Sequence, residues 1–407
     1  MDMTFREMIS PAEADAILAS ALPRYTQVTI PISRAQGRIL REPIRADRAQ
    51  PPFDRVAMDG IAIAFSAWEK GLRRFPLEGM QKAGEPARKL KAPDACLEVM
   101  TGSVLPAGVD CVVPAEEFLM EDGAAVLRES AGIPVPYRYV HRSGVDCPAG
   151  RTLVPEGVQL TAAHIGAAAS FGMKDVKVSE APSVAIVATG DELVDVGREP
   201  LPYQIRKSNP YAIEAALRKR LIERVSLLHA RDDKARLRST LEGVRGKCDA
   251  LIITGGVSMG KTDYVPGVLL DQGVRPLFHR IRQKPGKPFW FGVGANGIPV
   301  FALPGNPASV LVCLHRYVLP ALRKAMGWIG EESVPALLGE DAPPSGALTH
   351  YRPVVCVHDN DARLRARWVE NQGSGDFSAW ARADGFVELP AGPGDIKSGT
   401  KVRLWRW

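Results

Sequence analysis

The sequence predicts a multidomain α/β plus β protein, with a central, doubly wound, mainly parallel α/β domain and two β-rich regions. Three observations lead there. Strand-like and helix-like segments alternate over residues 183–326, as βα units of a parallel sheet do. Residues 45–147 are rich in Gly, Pro and short β-like runs, which reads as a small β-rich lobe. Residues 328–407 open with a Pro/Gly-rich passage and continue as short strands between turn residues, the mark of a small all-β domain. A chain of 407 residues also exceeds what one ordinary core can organise.

The elements have local causes. Ser10-Pro11-Ala12-Glu13 reads as a capping box with Pro at the first helical position, followed by apolar Ala14, Ile17 and Leu18. In the lobe, 111–114 and 125–127 are β-like. Residues 184–188 form a buried-type strand that ends in Thr189-Gly190-Asp191-Glu192. Residues 209–221 read as a helix and 225–229 as a strand, after which Asp232-Asp233 cap a helix over 234–244. Residues 250–253 and 299–303 are further strands. Pro304-Gly305-Asn306-Pro307 leads into a long helix over 308–325, with Asn306 as N-cap. Four late strands are expected at 354–357, 363–368, 386–389 and 401–405.

Bulk properties narrow the function. Hydrophobic content of 45% and charged content of 24% are those of a soluble globular protein. No apolar run approaches about 18 residues, so no membrane-spanning helix and no membrane partner are expected. The opening residues carry acids and lack a compact apolar core, so they do not read as a signal peptide. The six cysteines lie far apart with no C-x-x-C pair. They suggest small buried hydrophobes in a reducing cytoplasm rather than zinc ligands or disulfides. Net charge is +6, from 52 basic and 46 acidic residues spread along the chain. With no nucleic-acid-binding motif, this favours a small polyanionic ligand over DNA or RNA.

Four polar, glycine-rich loops fall at strand ends: TGDEL (189–193), TGGVSMGKTD (254–263), KPGKP (284–288) and LPGNPAS (303–309). In open parallel sheets, ligands bind outside the carboxyl ends of the strands. Glycines let backbone N–H groups approach an anion, and the helix beginning at Pro307 adds its positive end. Lys284 and Lys287 add full charges, with Arg280 and Arg282 nearby. Asp191, Glu192 and Asp263 supply hard oxygen ligands of the kind Mg²⁺ prefers beside phosphate. Thr254 and Ser258 can donate to oxyanions. Each loop alone could be a turn, Asp191-Glu192 an acidic pair opening a helix, and the lysines solvated surface. Together the loops point to a phosphate- and metal-binding site.

Residues 255–262, GGVSMGKT, also satisfy G-x-x-x-x-G-K-[ST], the P-loop pattern. Three features oppose a nucleotidase. Pro266-Gly267 follow almost at once, leaving little helix to align phosphates. No apolar strand ends in a Walker-B acid. Lys261 and Thr262 stand beside Asp263 in a pattern loose enough to arise by chance.

As a set, the motifs resemble those of the molybdopterin molybdenumtransferase family, MoeA in bacteria and the gephyrin E domain in animals. PPFDRVAMDGIAI (51–63) resembles its P-x-F-D-x-S-A-M-D-G-Y-A segment, and MTGSVLPAGVDCVVPAEE (100–117) its M-T-G-A-x-x-P-x-G-A-D-x-V-V-x-x-E-D. HRSGVDCPAG (141–150) is similar to R-x-x-G-E-D-x-x-x-G. TGDEL, SNPYAI (208–213), GGVSMGKTDY, KPGKP and LPGNPASV follow in the family's order, so the likeness runs from about residue 30 to 390.

The resemblance implies an elongated N-terminal domain from 1–44 and 148–178, with the β-rich lobe inserted at 45–147. It places the α/β domain at 179–327 and a β-barrel-like domain at 328–407. It implies a cytoplasmic homodimer with the cleft between the α/β domain of one subunit and the lobe of the other. The implied reaction is Mg²⁺-dependent insertion of molybdate into adenylylated molybdopterin with release of AMP. The pterin adenylyltransferase and recipient molybdoenzymes are implied as further partners.

Residue by residue, it implies Asp59, Asp146, Glu192, Asp232 and Asp263 as catalytic acids, with Glu192 and Asp263 also holding metal. It implies Thr101, Thr189, Gly190, Asp191, Gly255, Gly256, Ser258, Pro304, Asn306 and Ser309 as substrate contacts. Arg280, Lys284, Lys287, Arg352 and Ser374 would bind anion, with molybdate expected. Asp59 and Asp146 could instead shape their turns, and Asp232 could be only an N-cap.

The chain departs from the pattern at four places. Val56 replaces Ser, Ile61 replaces Tyr, Val145 replaces the Glu of GED, and Arg280 stands where Lys is expected. Two alternatives are kept. A pterin adenylyltransferase shares the α/β domain type but lacks the lobe carrying AMDG. A scaffold or chaperone would bind cofactor or a partner enzyme without turnover, which the presence of Asp59, Asp146 and Asp263 opposes.

Overall fold

The alternating segments build one seven-stranded sheet in the computed structural model, which describes residues 5–258, 263–373 and 375–407. Its order is Arg6–Ile9, Arg275–Ile281, Trp290–Val293, Pro299–Leu303, Ala250–Thr254, Val184–Thr189, Val225–Ala230. The last four pair in parallel, as do Arg6–Ile9 and Arg275–Ile281. Trp290–Val293 runs against both its neighbours. The mainly parallel reading therefore holds, with two strands at 275–281 and 290–293 and an N-terminal edge strand that the sequence patterns did not disclose.

Burial explains why the central strands read as unbroken apolar runs. Every residue of Val184–Thr189, Ala250–Thr254 and Pro299–Leu303 is buried, as expected where helices cover both faces. Alternate side chains serve opposite faces. Ile186, Ile252 and Phe301 pack with Ile213, Leu217, Val310 and Leu314 on one side. Val187, Ile253 and Ala302 pack with Leu237, Leu241, Val265 and Leu269 on the other.

Helix boundaries follow capping chemistry. The Ser10 box forms: Ser10 N–H donates to Glu13 Oε2 at 2.7 Å, and Glu13 N–H donates to Ser10 Oγ at 3.2 Å. Helix Pro11–Ala21 then buries Ala14 and Leu18. The helix expected over 209–221 ends earlier, as Asn209–Arg218, and Leu221 takes a φ of 59° that turns the chain and buries Ile222. The long helix after Asn306 runs as Pro307–Cys313, a π-turn Leu314–Val318, and Leu319–Ala325. Pro320 is the cause: it has no N–H for the carbonyl four residues back, and its ring would strike that carbonyl. Leu319 N–H instead bonds Leu314 O.

Four strands predicted for the C-terminal region are present, and a fifth closes them into a barrel. Thr349–His358 pairs with Leu364–Trp368 and Gly385–Leu389, while Ser333–Leu338 pairs with Leu364–Trp368 and Lys401–Arg406. Gly385–Leu389 completes the ring on Lys401–Arg406. Leu338, Val354, Ala366, Val387 and Leu404 fill it. A short strand, Gln283–Lys284, pairs parallel with Thr349–His350 and so ties the KPGKP loop to the barrel.

These parts belong to one compact unit, residues 1–42, 156–162 and 175–407; a second comprises 43–155 and 163–174. The second unit is built on a six-stranded sheet, ordered Cys111–Pro114, Gly60–Ile63, Cys96–Val99, Arg74–Gln81, Ala124–Leu127, Phe118–Glu121. Two of the sequence departures lie in its interior. Val56 packs with Ala62, Leu97, Val99 and Val112, and Ile61 packs with Ile63, Phe75 and Val113. Apolar side chains suit both places.

All six cysteines are free, and four of them are buried. Among the described residues, no helix is long and apolar enough to cross a membrane.

Candidate functional site

Three of the four strand-end loops converge on one cavity of about 300 Å³. Thr189, Gly190 and Glu192 come from the first loop, Gly255, Gly256, Ser258 and Asp263 from the second, and Gly305 and Pro307 from the third. Asp232 enters from the loop after Val225–Ala230. Thr189 Oγ1 donates to Thr254 O at 3.4 Å, joining two adjacent strand ends. His229 Nε2 lies 2.9 Å from Gly190 O.

Gly255 is required by this closeness. Its φ is 94°, and a Cβ there would lie 2.6 Å from Thr189 Oγ1. Gly190 plays a matching part: a Cβ on it would lie 2.5 Å from Glu192 Oε2, so its absence lets that carboxylate fold back over the loop. No helix opens at Asp191-Glu192. The chain continues into Leu193–Val194, paired with Ile205–Arg206, which removes the reading of these acids as a helix-opening pair.

The acid cluster has an electrostatic signature. Burial and the charges of Asp191 and Asp263 push the Asp232 carboxyl above its ordinary range, against a lowering backbone hydrogen bond from Asp191. Asp232 is not the helix cap. That role belongs to Asp233, whose Oδ1 accepts from Arg236 N–H at 2.9 Å. A carboxyl held up by burial and by neighbouring carboxylates is costly to ionise, which singles Asp232 out as a candidate.

Two substitutions separate these adjacent residues. Asp233→Ala should cost about 1 kcal/mol of stability with turnover retained. Asp232→Asn should lower turnover while the thermal midpoint holds or rises. The sign follows from linkage: a raised carboxyl pKa means the ionised form opposes folding at neutral pH, and this opposition fades as pH falls through the folded pKa. Thermal melts from pH 4 to 8 check it; a midpoint that drops for Asp232→Asn would refute the assignment.

The donor set suits Mg²⁺ shared with phosphate. Among the described residues, no three His, Cys, Asp or Glu side chains converge closely enough to hold a metal alone. Glu192 and Asp263 line the same cavity, and Mg²⁺ commonly takes one or two carboxylates and completes its shell with phosphate oxygens and water.

Three polar lining residues were given no role from the sequence: Arg206, Ser208 and Asn209. Asn209 Nδ2 donates to Gly305 O at 2.7 Å, linking two loops. The SNPYAI segment, at a strand-to-helix junction, was the signal. Other candidates stand back from the cavity wall. Pro304 and Ser309 are buried at the start of the helix, and Asn306 is its N-cap in extended conformation, with Pro307 following.

The fourth loop lines a different cavity, of about 450 Å³. Lys284 and Pro285 form one side, while His350, Arg352, Trp368 and Trp380 from the C-terminal region form the other. The four loops thus do not line one cavity: three meet in the first, and KPGKP, which leaves the sheet two strands beyond LPGNP, lines the second within the same unit. The second cavity is lined by two cations, Lys284 and Arg352, and one acid, Glu370. The His350 imidazole is held below its ordinary pKa by burial first, then by the charges of Arg352 and Lys284. Arg352 lies over the Trp368 ring at 5.5 Å. Lys287 is exposed on the same loop, and Arg280 adopts a φ of 70° just before it. Arg282 is engaged elsewhere: it donates to Met8 O at 2.7 Å and pairs with Glu13 at 3.5 Å.

Lys261, Thr262 and Ser374 lie outside the described residues. The helix after Asp263 is longer than Pro266 suggested. It runs Val265–Asp271, because Pro266 sits in the first turn, where a missing N–H costs nothing.

The remaining candidates belong to the second unit. Asp59 Oδ1 accepts from Thr101 N–H at 2.6 Å and from Thr101 Oγ1 at 2.7 Å, and these bonds hold its carboxyl below the ordinary range. Asp146 Oδ1 lies 2.9 Å from His141 Nε2. His141 was missed as its partner, although it opens the quoted HRSGVDC segment. Val145 is largely exposed, and nothing in the structure explains its replacement of an acid.

Comparisons with known proteins agree across the chain. Residues 9–172 match the family described as MoeA N-terminal region (domain I and II), 185–324 the probable molybdopterin binding domain, and 335–407 the MoeA C-terminal region (domain IV). The chain is 37% identical to the molybdopterin molybdenumtransferase of Synechocystis sp. over 98% of this chain and 100% of that one. It is 30% identical to the molybdopterin molybdenumtransferase of Haemophilus influenzae over 98% of each. A solved molybdopterin biosynthesis MoeA protein from Pyrococcus horikoshii OT3 superposes with a TM-score of 0.82 at 25% identity, covering 98% of this chain and 100% of that one.

Proposed function

Because the chain belongs to the molybdopterin molybdenumtransferase family and acts as such an enzyme in molybdenum cofactor biosynthesis, we propose that its two cavities divide the substrates of molybdenum insertion. Adenylylated molybdopterin enters the glycine-lined cavity with its phosphates against Gly255, Gly256 and Ser258. Molybdate binds beside Lys284, Lys287 and Arg352. The two dithiolene sulfurs bond the metal as one molybdate oxygen leaves with their protons as water, and water attacks the phosphoanhydride, so that AMP leaves and molybdopterin keeps its own phosphate. The observation that carries this reading is the meeting of three strand-end loops and the acids Glu192, Asp232 and Asp263 around one cavity.

The chain's own groups supply position and charge, the main resources for phosphoryl chemistry. Thr189 and Asn209 lock the loops against one another. Glu192 and Asp263 would hold Mg²⁺, which when bound neutralises phosphate charge. Asp232 lines the same cavity, where burial and the charges of Asp191 and Asp263 make its carboxyl costlier to ionise. The basic cavity gives an oxyanion full cationic partners, and Arg352 is braced by Trp368.

The proposed working form is a cytoplasmic homodimer in which a second copy supplies Asp59, Thr101 and Asp146. The exposed apolar side chains Phe53, Met58, Met100 and Val145, close to these residues in sequence, support a surface that is covered in use.

Lys284→Ala and Arg352→Ala test the division of substrates. Each should raise the KM for molybdate about tenfold or more, the worth of one charge-assisted contact, with AMP affinity held within twofold. Unchanged molybdate KM in both would remove this cavity from the oxyanion role.

A further inference from the structure

The KPGKP loop is fixed from beneath by a buried network that no function yet explains. Gln283, 1% exposed, directs its amide Nε2 to Pro285 O at 3.2 Å and to Cys313 Sγ at 3.7 Å. Cys313 Sγ donates to Gly286 O at 3.6 Å. Ile281 N–H donates to Lys287 O at 2.9 Å. The carbonyls of Pro285, Gly286 and Lys287 are therefore all engaged by the protein. These are the loop's negative dipole ends, which would repel an oxyanion, whereas Lys284 and Lys287 are exposed.

The network is anchored in the π-turn. Tyr317 Oη donates to Gln283 Oε1 and lies 3.2 Å from Tyr351 Oη. Tyr317 is itself held by Arg316, whose guanidinium lies 4.7 Å from its ring centre and binds Asp15 at 2.7 and 2.9 Å. Gly286 fits the assembly closely. At a φ of 90°, a Cβ on it would lie 2.7 Å from both Cys313 Sγ and Gln283 Nε2.

We propose that Tyr317, Cys313 and Gln283 are positioning residues for oxyanion binding, through which the π-turn at Leu314–Val318 sets the orientation of the KPGKP loop. This rests on the reading of Lys284 as an oxyanion contact. The π-turn offsets the helix by one residue at the height of the loop, and π-turns recur where a helix serves a site rather than only a core.

The test compares purified Tyr317→Phe and Cys313→Ala with wild type and with Lys284→Ala, using molybdate itself as the varied ligand. Tyr317→Phe removes one hydroxyl and keeps the ring; Cys313→Ala keeps the inquiry open if the first variant folds poorly. Each should raise molybdate KM about three- to tenfold, the worth of one buried hydrogen bond. The rate at saturating molybdate and the Kd for AMP should stay within twofold. A merely structural role would lower the melting point and shift all three quantities together, and that outcome overturns the proposal. So does an unmoved KM in both variants beside a raised KM in Lys284→Ala. If Lys284→Ala leaves KM unmoved as well, the oxyanion reading fails first and the proposal falls with it.

Discussion

Asp263→Asn is expected to slow AMP release at saturating substrates by about 100- to 1000-fold, the range seen when one preorganised electrostatic partner, such as an oxyanion-hole donor, is lost from a reaction centre. The affinity for adenylylated molybdopterin should stay within about threefold. Asp263 follows the loop that carries Gly255, Gly256 and Ser258, and it lines the same cavity as Glu192 and Asp232. Its charge contributes to the raised pKa of Asp232, which places it within electrostatic reach of the cluster. The asparagine keeps the shape and removes the charge. Contacts made equally to bound substrate and transition state survive, whereas those that matter only as charge develops are lost. Single-turnover AMP release and equilibrium titration separate the two. An unaffected rate would remove Asp263 from the site.

Gly255→Ala should have the largest effect on the fold around the cavity. A methyl there meets Thr189 Oγ1 at 2.6 Å and Thr189 O at 2.8 Å, on a backbone at φ 94°. Both neighbouring atoms belong to a buried strand end and cannot withdraw. Strain and overpacking together should cost about 2–5 kcal/mol. The thermal midpoint of this unit should fall by about 4–15 °C. Amide exchange should show the loss concentrated at 184–189 and 250–254. A fall of under about 2 °C would show that the two strand ends part more easily than their geometry indicates.

The sheet and the barrel were legible where one local rule dominates. Continuous apolar runs announced the strands that run Val184–Thr189 and Ala250–Thr254 to within one residue, and the Ser10 box announced where its helix starts. The strands at 275–281 and 290–293 were less legible, because their pairing joins segments whose turn chemistry does not name a partner. The π-turn was hidden too. Pro320 marks a disturbance, yet the response of the helix depends on what surrounds it.

The cavity residues were legible as loops at strand ends, since glycine and acid content at such ends is a local feature. Their division into two subsites was not, since it depends on sheet order and on Gln283–Lys284 joining the barrel. Partners set by tertiary approach, such as His141 for Asp146 and Asn209 for Gly305, carried only a faint signal in the quoted motifs. Asp232 and Asp233 show the limit well. Two adjacent acids after a strand read alike, and only the fold gives one the cap and the other the cavity.

The central claim is that this chain couples oxyanion capture in one cavity to cleavage of a phosphoanhydride in the other. The most direct measurement incubates the purified protein with adenylylated molybdopterin and Mg²⁺, with and without molybdate, and follows AMP together with active cofactor. Molybdate should accelerate AMP release and yield cofactor in matching amounts. AMP released at the same rate without molybdate, or no AMP at all, would contradict the account.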